Sequence, residues 1–147
     1  MADAEPIDRL ERELAIVLRR ARGRWAQLAR EVHPDLDPAA YGLMLRLEDV
    51  GAARMTDLSS YFGVGKPTIS RQVQLLEGLG LVTRSADASD GRAQSLALTE
   101  EGLSRVRRVR DARRAQVRGM LAAWPADDIA TLGALLGRFN ELMEHPG

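Results

Sequence analysis

The sequence predicts a mainly α fold carrying one small β-hairpin (α+β), and three observations lead to it. Apolar residues recur at spacings of three and four, as at Ile7, Leu10, Leu14 and Val17 and again at Ile129, Leu132, Leu136, Phe139 and Met143. That is the period of helices with one buried stripe. Strand character is confined to two short flanks, LVTRSAD and QSLALT, which are rich in β-branched and aliphatic residues on either side of ASDGRA. This reads as a hairpin. Just before it, residues 62–84 read FGVGKPTISRQVQLLEGLGLVTR, where Gly63, Gly65 and Pro67 punctuate a short turn between two helical patterns. A helix, a tight turn and a second helix form a helix-turn-helix, and a hairpin placed directly after it makes the unit a winged helix.

In chain order, the first seam continues through Ala21, Trp25, Leu28 and Val32, so a long amphipathic helix with a narrow apolar stripe opens the chain. His33-Pro34-Asp35 stops it, because proline disfavours helical geometry in the residue before it. Asp37 as N-cap and Pro38 in the first turn start a second helix, from about Pro38 to Val50. GAAR breaks that helix. Thr56 is expected to cap the third, with Asp57 near the positive end of its dipole and Leu58, Tyr61 and Phe62 on its apolar side.

In the fourth helix Ile69, Val73 and Leu76 fall at i, i+4 and i+7, one buried stripe. The remaining face carries Thr68, Ser70, Arg71 and Gln74, with Lys66 and Pro67 at its N-terminal end. Hydroxyl, guanidinium and amide groups match base edges and phosphates, so this face is the candidate DNA-reading surface. In the hairpin Asp90 and Gly91 sit where the chain must turn, which puts Arg92 at or near the tip. Thr99 caps a fifth helix whose first turn carries Glu100 and Glu101. Its apolar positions Leu103, Val106, Val109, Val117, Met120 and Trp124 are sparse among arginines, which suits a helix bridging two parts of a structure, and Pro125 is expected to end it. The arginines of residues 105–118 are expected to be solvated or paired with acids such as Glu11 and Glu13. The last helix carries the second clean seam. Three regions follow: an N-terminal dimerisation helix (1–34), a winged helix-turn-helix DNA-binding domain (35–100), and a long helix plus C-terminal helix for dimerisation (101–147).

The spacing Asp90-x-Arg92, six residues, Thr99, two residues, Gly102, following TDLSSYFGVGKPTISRQVQLLEGLGLV, resembles the MarR family of bacterial winged-helix transcriptional regulators. Gly91 stands where many members carry a second Arg or Lys, and Ser59 where many carry Ala. The resemblance implies a homodimer built by the first and last helices and the end of the fifth, binding a palindromic operator on double-stranded DNA as a repressor. It also implies release by a small aromatic, anionic or lipophilic effector held between the dimerisation helices and the winged helix. Arg92 would enter the minor groove, Asp90 would orient an arginine, and Arg84 would serve the DNA backbone. The DNA-contacting set is then Thr56, Lys66, Pro67, Thr68, Ser70, Arg71, Gln74, Arg84, Asp90 and Arg92. Trp25, His33, Tyr41 and Met44 would line the effector pocket. Ile7, Leu10, Leu14, Val17, Ile129, Leu132, Leu136, Phe139 and Met143 would form the dimer interface.

Composition bounds the alternatives. A chain of 147 residues, 45% hydrophobic, supports one domain with extensions. It has no cysteine, which removes disulfides, thiolate metal sites and a cysteine redox sensor. No apolar run approaches the ~20 residues of a membrane helix, and MADAEPIDRL is unlike a signal peptide, so a cytoplasmic protein without a membrane partner is expected. Two histidines, His33 and His145, and no phosphate loop or paired-carboxylate motif argue against an enzyme, a metal or a cofactor. The 21 basic residues balance 21 acidic ones, which argues against a nonspecific nucleic-acid coat. That neutrality also fits a second reading, a winged-helix protein-interaction module without sequence-specific DNA binding.

Overall fold

A computed structural model of the chain describes residues 4–87 and 89–144, so His145 lies outside the described residues. The element order is α1 (Ala4–Val32), α2 (Pro38–Val50), β1 (Ala53–Arg54), α3 (Met55–Phe62), α4 (Lys66–Gly78), β2 (Val82–Ala86), β3 (Gln94–Leu98), α5 (Glu100–Met120) and α6 (Ala126–Glu144). The fold is mainly helical with a small antiparallel sheet in the order β1-β3-β2. In the hairpin Val82 faces Leu98 and Ala86 faces Gln94, while on the other side of β3 Arg54 faces Ser95.

Local signals account for most helix ends. The Asp37 carboxylate accepts from the Ala40 amide at 2.7 Å with Pro38 in the first turn, and Gly51 closes α2 with φ +80°. The third helix departs from expectation. Its N-cap is Arg54, not Thr56, because the chain enters directly from β1 and the Asp57 carboxylate accepts from the Arg54 amide at 3.3 Å. Thr56 is an exposed first-turn residue. The fifth helix also ends early, at Met120 rather than at Pro125. Gly119 weakens its last turn and Trp124 precedes proline, so the chain turns over 121–124 before α6 starts.

One core holds the winged helix together. The C-terminal part of α1 (Leu28, Ala29, Val32), most apolar residues of α2, Leu58, the Ile69-Val73-Leu76 stripe, Leu81, Val82, Leu96, Val106 and Val109 are all buried in it. The junction of α4, the wing and α5 is built on Thr99 and Gly102. The Thr99 amide donates to the Leu81 carbonyl at 3.0 Å, its hydroxyl donates to the Gly80 carbonyl at 2.6 Å, and the same hydroxyl accepts from the Gly102 amide at 3.0 Å. Gly102 is buried against the Leu81 carbonyl, where a Cβ would lie 2.1 Å from the oxygen. Only glycine permits that approach.

Three arginines of α5 are tied down locally and to α1 and α2, not to Glu11 or Glu13, while Arg108, Arg114 and Arg118 are exposed, as expected of a solvated face. Arg110 and Arg107 both pair with the nearly buried Glu48 of α2, Arg105 pairs with Glu101 at 2.6 Å, and Arg105 also donates to the Val32 carbonyl at 3.0 Å. These pairs carry α5 out of the winged helix as a strut. Beyond it the packing stops. The 19-residue α6 buries none of its residues. In α1 the buried residues are Leu28, Ala29 and Val32, all near its C-terminus.

Candidate nucleic-acid interface

The fourth helix presents its two faces as its sequence pattern requires. Ile69, Val73 and Leu76 are buried, whereas Lys66, Pro67, Arg71 and Gln74 are exposed and Thr68 and Ser70 half-buried. Gly65 precedes the helix in extended geometry, and the Thr68 and Ile69 amides bond back to its carbonyl at 3.1 and 3.3 Å. No side chain caps this end. With Pro67 lacking an N–H and the Thr68 and Ile69 amides used, the first turn keeps the Lys66 amide at the positive end of the dipole, beside the Lys66 ammonium, a combination suited to a phosphate.

The hairpin is braced against this helix. Arg84 donates from Nε to Glu77 at 2.8 Å and from Nη1 to the Gln94 amide oxygen at 3.3 Å. Its guanidinium is thus engaged in holding β2 to α4. Beyond the last ladder pair the wing is organised by carboxylates. Asp90 accepts from the Arg92 amide at 3.1 Å, so it shapes the main chain, and among the described residues it forms no ion pair. A guanidinium is held by Asp87, which takes a two-pronged bond from Arg54 at 2.9 and 3.1 Å. Sequence reasoning missed both residues, although Asp87 and Asp90 at i and i+3 around a turn are the pattern of side chains that bond nearby amides.

Arg54 and the Ser89 hydroxyl and amide hold the Asp87 carboxyl well below the usual carboxylate range, with Arg54 the largest cause. A group whose folded value lies below its unfolded one stabilises the fold above the ordinary value, here 3.8, and loses that contribution as the pH falls beneath it. The melting temperatures of wild type and Asp87→Asn are therefore expected to differ by a constant amount from neutral to mildly acidic pH. They should converge only below 3.8. Convergence near neutrality would contradict this. Arg92 lies exposed past this turn, and among the described residues Arg71, Lys66 and Arg92 form no ion pair. They are the cations this region keeps available for a polyanion.

A family model described as "MarR family" matches residues 35–93. Over 88% of this chain and 98% of the other, the chain is 30% identical to a probable transcriptional regulator from Pseudomonas aeruginosa, and the two structures align with a TM-score of 0.60. The chain belongs to the MarR family. This MarR-family regulator is also 29% identical to the uncharacterised HTH-type transcriptional regulator YxaD of Bacillus subtilis (strain 168), over 96% of this chain and 97% of that one. Its fold is similar to that of wild-type apo MarR from E. coli, at 20% identity, a TM-score of 0.67, and coverage of 88% and 95% of the two chains.

In this MarR-family chain the four residues expected to line an effector pocket lie in the core, against it or in the turn after α1. Tyr41 and Met44 have no accessible surface and belong to the core. Trp25 packs on Tyr41 with ring centroids 5.3 Å apart, and Arg113 lies over its ring at 5.9 Å. His33 accepts through Nδ1 from the Asp35 amide at 3.1 Å, shaping the turn after α1. Burial pushes the Tyr41 phenol up, opposed by the nearby Arg113 and reinforced by Glu31 and Glu48. An apolar opening lies among the described residues of α1 and α6. A cleft of about 650 Å³ runs between α1 and α6, lined by Leu10, Leu14, Leu132, Leu135, Leu136, Phe139 and Leu142, with Arg138 and Glu141 beside them. Of the predicted seams, Ile7, Leu10, Val17, Ile129, Leu132, Leu136 and Met143 are exposed and Leu14 and Phe139 half-buried. No helix among the described residues is long and apolar enough to cross a membrane. No cluster of three or more described His, Cys, Asp or Glu residues could hold a metal ion.

Proposed function

We propose that this regulator is a homodimeric repressor that reads a palindromic operator through α4 and the wing, in the cytoplasm. The observation that carries the reading is the two-sided α4: a buried Ile69-Val73-Leu76 stripe, and opposite it the exposed, unpaired Arg71 among Thr68, Ser70 and Gln74. Two-fold symmetry would set two such helices about 34 Å apart, one DNA turn, each in the major groove of a half-site. Arg71 then supplies the largest single contact, bidentate to guanine O6 and N7 or charge-assisted to phosphate. Lys66, through its ammonium and its own backbone amide, takes a phosphate, and Arg92 reaches the adjacent minor groove. Residues 35–100 serve as the reading domain, and residues 1–34 and 101–147 as the arms that pair with a second copy.

Dimerisation is supported by the unpacked α6 and the exposed first half of α1, whose apolar residues a second copy would cover. A small-molecule effector releases such a dimer only by binding one spacing of the two reading heads better than the other. With Tyr41 and Met44 in the core, a pocket for it would have to involve the second copy or a rearranged α1–α2 contact.

Fluorescence anisotropy on duplex from upstream of the gene and on a scrambled duplex, at two salt concentrations, tests the reading. Arg71→Ala is expected to lose roughly 1–3 kcal/mol on the native duplex and much less on the scrambled one. Equal affinity of wild type and Arg71→Ala for the native duplex would overturn the assignment of the reading face.

A further inference from the structure

Past the β2–β3 ladder the wing of this protein is held by two backbone bonds, Asp87 amide to Ala93 carbonyl and Ala93 amide to Asp90 carbonyl, both at 3.0 Å, and by a cluster of side chains. The last β2–β3 pair is Ala86 opposite Gln94, and the exposed tip lies beyond it. Across that gap the Asp87 Oδ1 atom gathers the Ser89 amide at 2.9 Å, the Ser89 hydroxyl at 2.7 Å, the Asp90 amide at 3.2 Å and Arg54 Nη2 at 3.1 Å. Arg54 Nη2 also donates to the Ser89 hydroxyl at 3.1 Å, and Arg54 Nε to Asp87 Oδ2 at 2.9 Å. Arg54 itself sits on the two-residue strand β1 and is the N-cap of α3, where its amide is held by Asp57. From Asp90 the chain of bonds passes to the Arg92 amide.

We propose that Arg54 and Asp87 are positioning residues for DNA binding, a latch that ties the root of the wing to the start of the helix-turn-helix and so sets where Arg92 projects. The inference rests on the wing contacting DNA, as proposed above. A bidentate, charge-matched pair fixes direction as well as distance. Because the pair is already formed in the free protein, the wing meets the duplex ordered, and the entropy of ordering it is not charged to binding. Since Asp87 neutralises Arg54, the guanidinium adds no net attraction for phosphate. Its contribution is geometric.

The sign of one substitution separates the latch from a plain charge effect. Removing the Asp87 carboxylate deletes an anion from a surface that meets a polyanion, so electrostatics alone tightens binding on every duplex. The latch predicts the reverse on the preferred duplex. Anisotropy on that duplex would compare wild type, Asp87→Ala, Arg54→Met, the double variant and Arg92→Ala, with amide hydrogen exchange of residues 87–93 read in parallel. Asp87→Ala and Arg54→Met should each weaken binding about tenfold, and the double variant no further, because the two act as one unit. The Ser89, Asp90 and Arg92 amides should exchange faster in both single variants. Binding by Asp87→Ala as tight as wild type or tighter, with Arg92→Ala weakened, would overturn the latch and leave the wing contact standing. A double variant that loses the product of the two single losses would also overturn it. If Arg92→Ala binds like wild type, the wing contact itself fails and the latch falls with it.

Discussion

Leu136→Glu is expected to leave the protein folded but monomeric, and to remove roughly a hundredfold or more of its affinity for the preferred duplex. The substitution sits on α6, which buries no residue in its own chain, so the winged-helix core does not depend on it. Leu136 is 49% exposed and lines the α1–α6 cleft with Leu10, Leu14 and Leu132. A second copy covering that face buries the leucine, a gain of about 1.5–3 kcal/mol per side chain. A carboxylate there forfeits the gain and is costly to bury unpaired. A two-fold interface carries every substitution twice. The effect reaches DNA because the second reading head binds at the effective concentration set by the first, an advantage of about 10²–10⁴ that a monomer forgoes. Sedimentation velocity and anisotropy on the same preparation check both halves. A dimer that survives the change, or a monomer that binds as tightly, would contradict the account.

Gly102→Ala is expected to be the most damaging single-methyl change in the fold. Its Cβ would stand 2.1 Å from the Leu81 carbonyl oxygen and 3.0 Å from the carbonyl carbon. Backbone on both sides cannot move aside as a flexible side chain would. Overpacking of this kind costs about 3 kcal/mol. The strain falls on the junction where Thr99 bonds to Gly80 and Leu81, so the exit of α4 and the start of α5 shift together and DNA affinity should fall with stability. Gly23→Ala is the control, since nothing lies within 4 Å of a Cβ there and α1 continues through it. That change should stabilise by up to about 1 kcal/mol. Thermal unfolding of the two variants measures both signs. A Gly102→Ala protein melting like wild type would contradict the packing described.

These two glycines mark how far the sequence could be read. The α1 seam, the Asp37-Pro38 start, the hairpin flanks and the Thr99 cap were legible because each is set by neighbours in the chain: a period, a capping side chain, a turn. The Thr99-x-x-Gly102 spacing was visible as a family pattern, but its reason, the approach to Leu81, is a tertiary contact. The same limit explains the misreadings. Strand β1 is two residues long and has no period to detect, and once it feeds α3 directly, Arg54 displaces Thr56 as the cap. Glu48 meets Arg107 and Arg110 across about sixty residues, so nothing local distinguished it from Glu11 or Glu13 as their partner. Tyr41 and Met44 suit a core as well as a pocket by residue type, and only packing assigned them to the core. In the wing the two aspartates three residues apart looked alike, yet Asp90 bonds main chain and Asp87 anchors an arginine brought in from β1.

The central claim is that two copies of this chain read one two-fold DNA site. Selection of bound sequences from a randomised duplex library by the purified protein tests it most directly. The account predicts enrichment of an inverted repeat whose half-site centres lie about 10 base pairs apart, one helical turn, and loss of that enrichment with Arg71→Ala. Recovery of no motif, or of a motif without inverted symmetry, would contradict it.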